Sequence, residues 1–374
     1  MTGLDHRMAQ AVLSGARRAQ RAVATVSGKR HVAGRIGNGV TPAPCAPQRL
    51  TNLPHRMRGR LPDIDLRSED VRLSPSEQRM VVVTTANVIL LFDVDLRTRP
   101  VRVRFRTELR SPELSNPHGA DWLDEHTLVV ANRAGRLQVF AIPRGTRREP
   151  TTELQHVGAV ETSWFGEPGE TRELRGRTVV TGPGSVRVHG PTAIVCCNHR
   201  NTVTAHDVTR NDAGVTLSEG RLVAQEGLEI PDSAALSETT GWLAVSDHDH
   251  HRVVLYRFGD PRPVAALTHP ELRTPHGLAF DPTGRTLVVA DAGSTELFCF
   301  SEPDEGWGRA EVAPAHTLEG VQQQVFERVQ ADTPAPVRAV EGGTKGVDIS
   351  ADGRIAVTTC RGQVVRFFAI ESAA

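Results

Sequence analysis

The chain has 374 residues, in which 44 Lys and Arg balance 44 Asp and Glu, and aromatic residues make up only 4%. That balance offers no basic, aromatic-studded surface for nucleic acid over most of the chain, and no apolar run approaches the ~20 residues of a membrane span. Five cysteines, an odd number without zinc-knuckle spacing, fit a reduced protein better than a disulfide framework.

Charge is unevenly placed. Residues 1–60 carry 11 Lys and Arg against one acid, Asp5, so the remaining 314 residues are correspondingly acidic. The first 60 residues read as a basic extension, partly helical or flexible. Met8 to Val26 can form one amphipathic helix, and Gly28, Gly34, Gly37 and Gly39 keep the segment beyond it flexible. Such an extension either folds against the acidic body, stays solvated, or contacts an anionic partner. Ala9 to Leu13 is too short for a secretory signal and runs into Arg17 and Arg18. A cytoplasmic location is the expectation.

From residue 61 to 374 the pattern is β throughout, with helical periodicity nearly absent. Short aliphatic runs such as Val81–Val83, Leu128–Val130 and Leu287–Val289 are bounded by turn residues. Asp281-Pro282-Thr283-Gly284 and Ser350-Ala351-Asp352-Gly353 are tight turns that place glycine where a positive φ is needed.

One unit recurs. Asn116 to Phe140 reads NPHGADWLDEHTLVVANRAGRLQVF, and Thr274 to Phe300 reads TPHGLAFDPTGRTLVVADAGSTELFCF. Four weaker copies begin around Glu69, Gly184, Asp232 and Lys345, and the six anchors are 44 to 69 residues apart. That spacing suits four-stranded propeller blades with variable loops. The prediction is therefore an all-β, six-bladed β-propeller of four-stranded antiparallel blades. The last blade lacks a fourth strand, and the stretch from Leu61 to Leu66 is expected to supply it and remove the free sheet edge.

In blade order the anchors are Glu69, His118, Gly184, Asp232, His276 and Lys345. Each opens the innermost strand of its blade, where all six blades converge, so their side chains should meet on the axis. Two imidazoles and two carboxylates there can hold a divalent metal, zinc or calcium, through His118, His276, Asp232 and Glu69. The same set can equally form a channel of mutually paired charges. Lys345 is conspicuous because the chain has 42 arginines and only one other lysine, Lys29. Either its titratable amine is used, or it forms a salt bridge with Glu69 across the ring closure. Asn132, Asn198, Asp247 and Asp291 close second strands and should rim the same mouth, or simply form turns. Asp247-His248-Asp249-His250-His251 looks metal-rich but reads as a solvated loop, and Cys196 and Cys197 as buried, inert thiols.

These units resemble the NHL and YVTN propeller repeats over about residues 63–370, a likeness that speaks to fold rather than activity. Two enzyme groups on six-bladed rings share details with the chain. The peptidyl-hydroxyglycine lyase family has zinc-binding histidines on inner strands, one in a Pro-His-Ser context similar to Pro117-His118-Gly119 and Pro275-His276-Gly277. It uses a further histidine where this chain offers carboxylates and Lys345. The gluconolactonase and senescence-marker group has a Glu, Asn and Asp metal site, and Ile230-Pro231-Asp232-Ser233 resembles its Pro-Asp-Gly segment. That resemblance implies Glu69 and Asn198 as the other ligands.

No Gly-x-Ser-x-Gly elbow, Walker loop, His-Glu-x-x-His helix or Rossmann fingerprint is present. The expected function is an enzyme acting on a small-molecule substrate at the channel mouth, a metal-assisted hydrolase, lactonase or lyase. His118, His276 and Glu69 would join Lys345 as its catalytic residues. The competing expectation is a non-catalytic propeller that binds a protein partner or ligand on its top face.

Overall fold

The computed structural model describes residues 47–59, 67–145, 149–160, 162–174, 177–211, 214–308, 311–312, 316–335 and 341–372. Met8 to Val26 lies outside the described residues. Six antiparallel sheets form the six blades of a propeller. The innermost strands are Ser68–Leu73, Pro117–Asp124, Ser185–His189, Pro231–Leu236, Pro275–Phe280 and Val347–Ile349. Each is followed by a hairpin to an antiparallel second strand, so the six units recognised in the sequence are the six blades. Several blades exceed four strands. The first also pairs His55–Arg58 and Thr151–Glu153, both in parallel, with its outer strand Val101–Arg110.

The ring closes by a strand other than the one expected. Gln48–Leu53 pairs antiparallel with the C-terminal strand Gln363–Ser372, from Gln48 opposite Ser372 to Leu53 opposite Phe367. The anticipated Leu61 to Leu66 stretch lies outside the described residues, and the closing segment comes from the region read as an extension. Leu50 at its centre is 1% exposed and joins Val288, Val347 and Phe368 in a core between blades 5 and 6. Burial of that side chain, worth roughly 2 kcal/mol, adds to six residues of backbone pairing.

The core lies between the blades. Each blade presents alternate side chains to its two neighbours, as where Val71, Val82 and Phe92 of blade 1 meet Val357 and Phe367 of blade 6. Turn chemistry follows the sequence: Gly284 and Gly353 have φ of +72° and +73°, and Asp281 Oδ1 accepts from the backbone N–H of Arg285 and Thr286. One helix, Gln323–Asp332, was not anticipated. It sits in the long connection between blades 5 and 6 and buries only Val329 among its residues, too narrow an apolar stripe to register as helical periodicity.

The glycine of each Pro-His-Gly motif has a steric cause. A Cβ on Gly119 would lie 2.8 Å from Ser185 Cα, and one on Gly277 would lie 2.9 Å from Val347 N. The next blade's inner strand therefore passes directly against the glycine backbone. Gly277 N also donates to the Lys345 carbonyl at 2.7 Å. Carboxylates staple other junctions along the channel. Asp121 of blade 2 accepts from Trp122 N and from Val188 N of blade 3, both at 2.8 Å. Asp348 of blade 6 accepts from Ile349 N at 3.0 Å and from Leu73 N of blade 1 at 2.8 Å. Inner strand edges that would otherwise lack backbone partners are satisfied this way.

Candidate metal and substrate site

Five of the six anchor side chains meet where the inner strands begin. Glu69 Oε2 lies 3.0 Å from Lys345 Nζ, 3.2 Å from His118 Nε2 and 3.6 Å from His276 Nε2. His276 Nε2 is also 3.9 Å from Asp232 Oδ2. The two imidazole centroids are 5.3 Å apart, well within reach of one shared cation. Ligand atoms of Glu69, His118 and His276 all lie within 4.8 Å of one another. Gly184, the sixth anchor, serves through its backbone: its carbonyl accepts from His118 Nδ1 at 2.9 Å. It has no side chain because Asn198 Oδ1 occupies the position a Cβ would take.

Three further residues complete the cluster, and no repeat signal marked them. Arg67 Nε is 2.7 Å from Glu69 Oε1, and its Nη2 pairs with Glu341 Oε1 at 2.5 Å. Lys345 Nζ donates to the same Glu341 oxygen at 2.8 Å. Arg133 Nη2 is 3.3 Å from Asp232 Oδ1, which also accepts from Asn198 Nδ2. Arg67 stands two residues before Glu69, and Glu341 four before Lys345. Their closeness to anchors was visible, but nothing in the pattern pointed either side chain inward.

Of the expected rim residues, only Asn198 touches the cluster. Asn132 accepts from Ser115 N, Asp247 from Glu229 N, and Asp291 from Arg273 N and Thr274 N. Those three are turn staples. The acidic-histidine loop is less solvated than expected: Asp247 is fully buried, and His248, 9% exposed, brings Nε2 to 3.8 Å from Asp232 Oδ2. Cys196 and Cys197 are buried, and burial pushes both thiols up to about 12, so they are inert as nucleophiles.

Burial dominates the electrostatics. Glu69, Lys345 and His118 are at most 2% exposed. Burial disfavours ionised Glu69, but the charges of Arg67 and Lys345 outweigh it and hold the carboxyl well below its usual range. Asp232 is likewise lowered against burial, by the histidines around it and by Arg133. His118 is pushed down to about 4 by burial and by Arg133, more than Glu69 raises it. It is neutral at pH 7. A carbonyl only accepts, so His118 Nδ1 carries the proton toward Gly184 and Nε2 presents a lone pair to Glu69 Oε2. Two acceptors thus face each other at 3.2 Å in a buried place. Arg67, Arg133 and Lys345 stand against Glu69, Glu341 and Asp232, and His248 beside Asp232 is raised above its usual range, Asp249 and Asp232 outweighing burial.

The donor set fits a cation of the zinc type. Two imidazole nitrogens and a carboxylate match borderline transition metals, whereas calcium takes six to eight oxygens. The backbone acceptor on His118 Nδ1 is the usual second partner of a metal-ligating histidine. Arg67 and Arg133, whose side chains are 36% and 18% exposed, are the members most open to solvent.

No family model matches the chain, and no curated protein matches it by sequence. Many solved structures share the fold. One, a Bacteroides fragilis protein described as a putative 6-phosphogluconolactonase, superposes with a TM-score of 0.53 at 13% identity, covering 80% of this chain and 79% of that one. At that identity the likeness establishes a common propeller architecture.

Proposed function

We propose that the protein is a metal-dependent enzyme acting on a small, anionic carbonyl compound, with hydrolysis of a lactone or ester as the leading reaction. The observation that carries this reading is the buried confrontation of His118 Nε2 and Glu69 Oε2, two acceptors that a bound cation would reconcile. His118, His276 and Glu69 would hold a zinc-type ion, with Asp232 close enough to join. Such an ion would polarise a carbonyl or activate a water. A lactonase assignment for a structural neighbour of the same fold agrees with this reading but does not carry it.

The chain's own residues have distinct tasks. Three cations already stand against three carboxylates, so the two charges of a dication are offset by loss of the Lys345 proton together with arrival of an anionic substrate. Lys345 as a free amine would take the proton released when water adds to the carbonyl. It would return that proton to the leaving oxygen as the C–O bond breaks. Arg67 and Arg133 would meet the substrate's anionic group first. Asn198 would hold Asp232 in place.

The complete pairing of Lys345 with Glu69 and Glu341 favours a second reading, in which the cluster is a structural ion network and the propeller a binding scaffold. Zinc-reconstituted protein assayed on a panel of lactones and esters separates the two. The enzyme reading expects turnover that His118→Ala and His276→Ala abolish with the fold intact, and that Lys345→Arg loses because arginine does not give up its proton. Full activity in Lys345→Arg would remove Lys345 from the mechanism. Absence of turnover above free zinc throughout the panel would leave the scaffold.

A further inference from the structure

The opposite end of the channel holds a second constellation. Three residues along each inner strand from its anchor stand Arg72, Asp121, Arg187, Ala235, Ala279 and Asp348, and all six line one cavity of about 290 Å³. The next residue of each strand lines it too, so the cavity is the far mouth of the channel. It is separate from the cluster around Glu69, none of whose members lines it.

The ring is divided by chemistry. Blades 4 and 5 place alanines where the other four blades carry charges, and Leu236, Leu278 and Phe280 complete an apolar wall. Across from it, Arg72 and Arg187 are compensated. Arg72 Nη2 is 3.0 Å from Asp70 Oδ1 and Nη1 is 3.6 Å from Asp348 Oδ1, while Arg187 Nη1 is 3.2 Å from Asp70 Oδ2. Two guanidiniums thus answer two carboxylates, Asp70 and Asp348. Asp121 is the third carboxylate, and among the described residues no cation lies within 4 Å of it. Its oxygens accept only the N–H groups of Trp122 and Val188.

We propose that this far mouth binds a small organic ammonium ion, its nitrogen on Asp121 and its hydrocarbon or ring body against Ala235, Ala279, Leu236, Leu278 and Phe280. A monocation supplies the partner that Asp121 lacks, Glu77 lines the same cavity and adds to its negative charge, and the apolar sector supplies the surface that a carbon body needs. A purely anionic ligand would meet guanidiniums already engaged and a carboxylate that repels it. The volume limits the ligand to fragment size. The proposal stands apart from the metal-dependent reading, because no residue is shared between the two sites.

Benzylammonium, benzyl alcohol and benzoate share one ring and differ in charge, so they serve as probes. Calorimetric titration at pH 8 should show benzylammonium binding at least tenfold tighter than either of the others. A structure of the wild-type protein with benzylammonium should place the nitrogen beside Asp121. Asp121→Asn should bring the amine down to the affinity of the alcohol, and His118→Ala should leave amine binding unchanged. Equal affinity for the three probes, or benzylammonium located elsewhere, overturns the proposal. Both of those measurements use the wild-type protein and do not depend on the folding of a variant.

Discussion

Replacing Lys345 with methionine removes the one ammonium of the cluster while keeping a long, flexible side chain in its place. In the metal-free protein the cost is moderate, because Glu69 and Glu341 both keep Arg67 as a partner. Stripping a buried ion pair of one member costs about 3–5 kcal/mol when the other is left alone, so roughly half of that is expected here. The effect on metal binding has the opposite sign. Lys345 Nζ stands 3.0 Å from the Glu69 oxygen that faces both histidines. A metal bonded to that oxygen at about 2.1 Å would lie roughly 4 Å from the ammonium. A single charge and a dication at that distance repel by about 8 kcal/mol at an effective dielectric of 20. If only a quarter survives proton release and relaxation, about 2 kcal/mol remains, roughly thirtyfold in Kd. Competition with a chromogenic zinc chelator at pH 7.5 measures it. Lys345→Met is expected to bind zinc at least thirtyfold tighter while melting lower without zinc. Unchanged or weaker affinity would show that the ammonium and the cation do not compete, and the placement of the metal would be wrong.

Two other predictions address the frame of the channel. Gly277→Ala forces a methyl against the Lys345 carbonyl and Val347 N, and overpacking of that kind costs about 1–3 kcal/mol. A thermal melt indistinguishable from wild type would mean that the blades separate freely there. Burial raises the Asp121 carboxyl to about 7, so the folded state holds its proton more tightly than the unfolded chain does. The stability it contributes is then full below about pH 4 and lost as pH rises from 4 to 7, by up to about 4 kcal/mol. Urea titrations at pH 5 and pH 8 should show Asp121→Asn closing that gap relative to wild type, and an identical pH slope in the two proteins would contradict the assignment.

The blades were legible because each repeats the same local physics. An apolar strand, a glycine where the neighbouring strand crosses, and a turn with positive φ leave a pattern that survives divergence. The anchors were legible for the same reason, since Glu69, His118, Asp232, His276 and Lys345 share one offset within that pattern. The closing strand was not. QRLTNL is a six-residue segment without a copy elsewhere, and its partner lies more than 300 residues away. Arg67, Glu341 and Arg133 escaped because loop charges have no period, and only the closed ring brings them together. The acidic-histidine loop misled for a related reason: its composition is that of a surface turn, but the 3₁₀ turn after Asp247 tucks His248 toward Asp232.

The central claim is that Glu69, His118 and His276 hold a divalent metal. Titration of zinc into chelator-treated protein without an affinity tag tests it most directly. One equivalent should bind in the wild type and be lost in His118→Ala and in His276→Ala, with far-UV circular dichroism unchanged. No binding to the wild type, or one full equivalent retained by both variants, would contradict it.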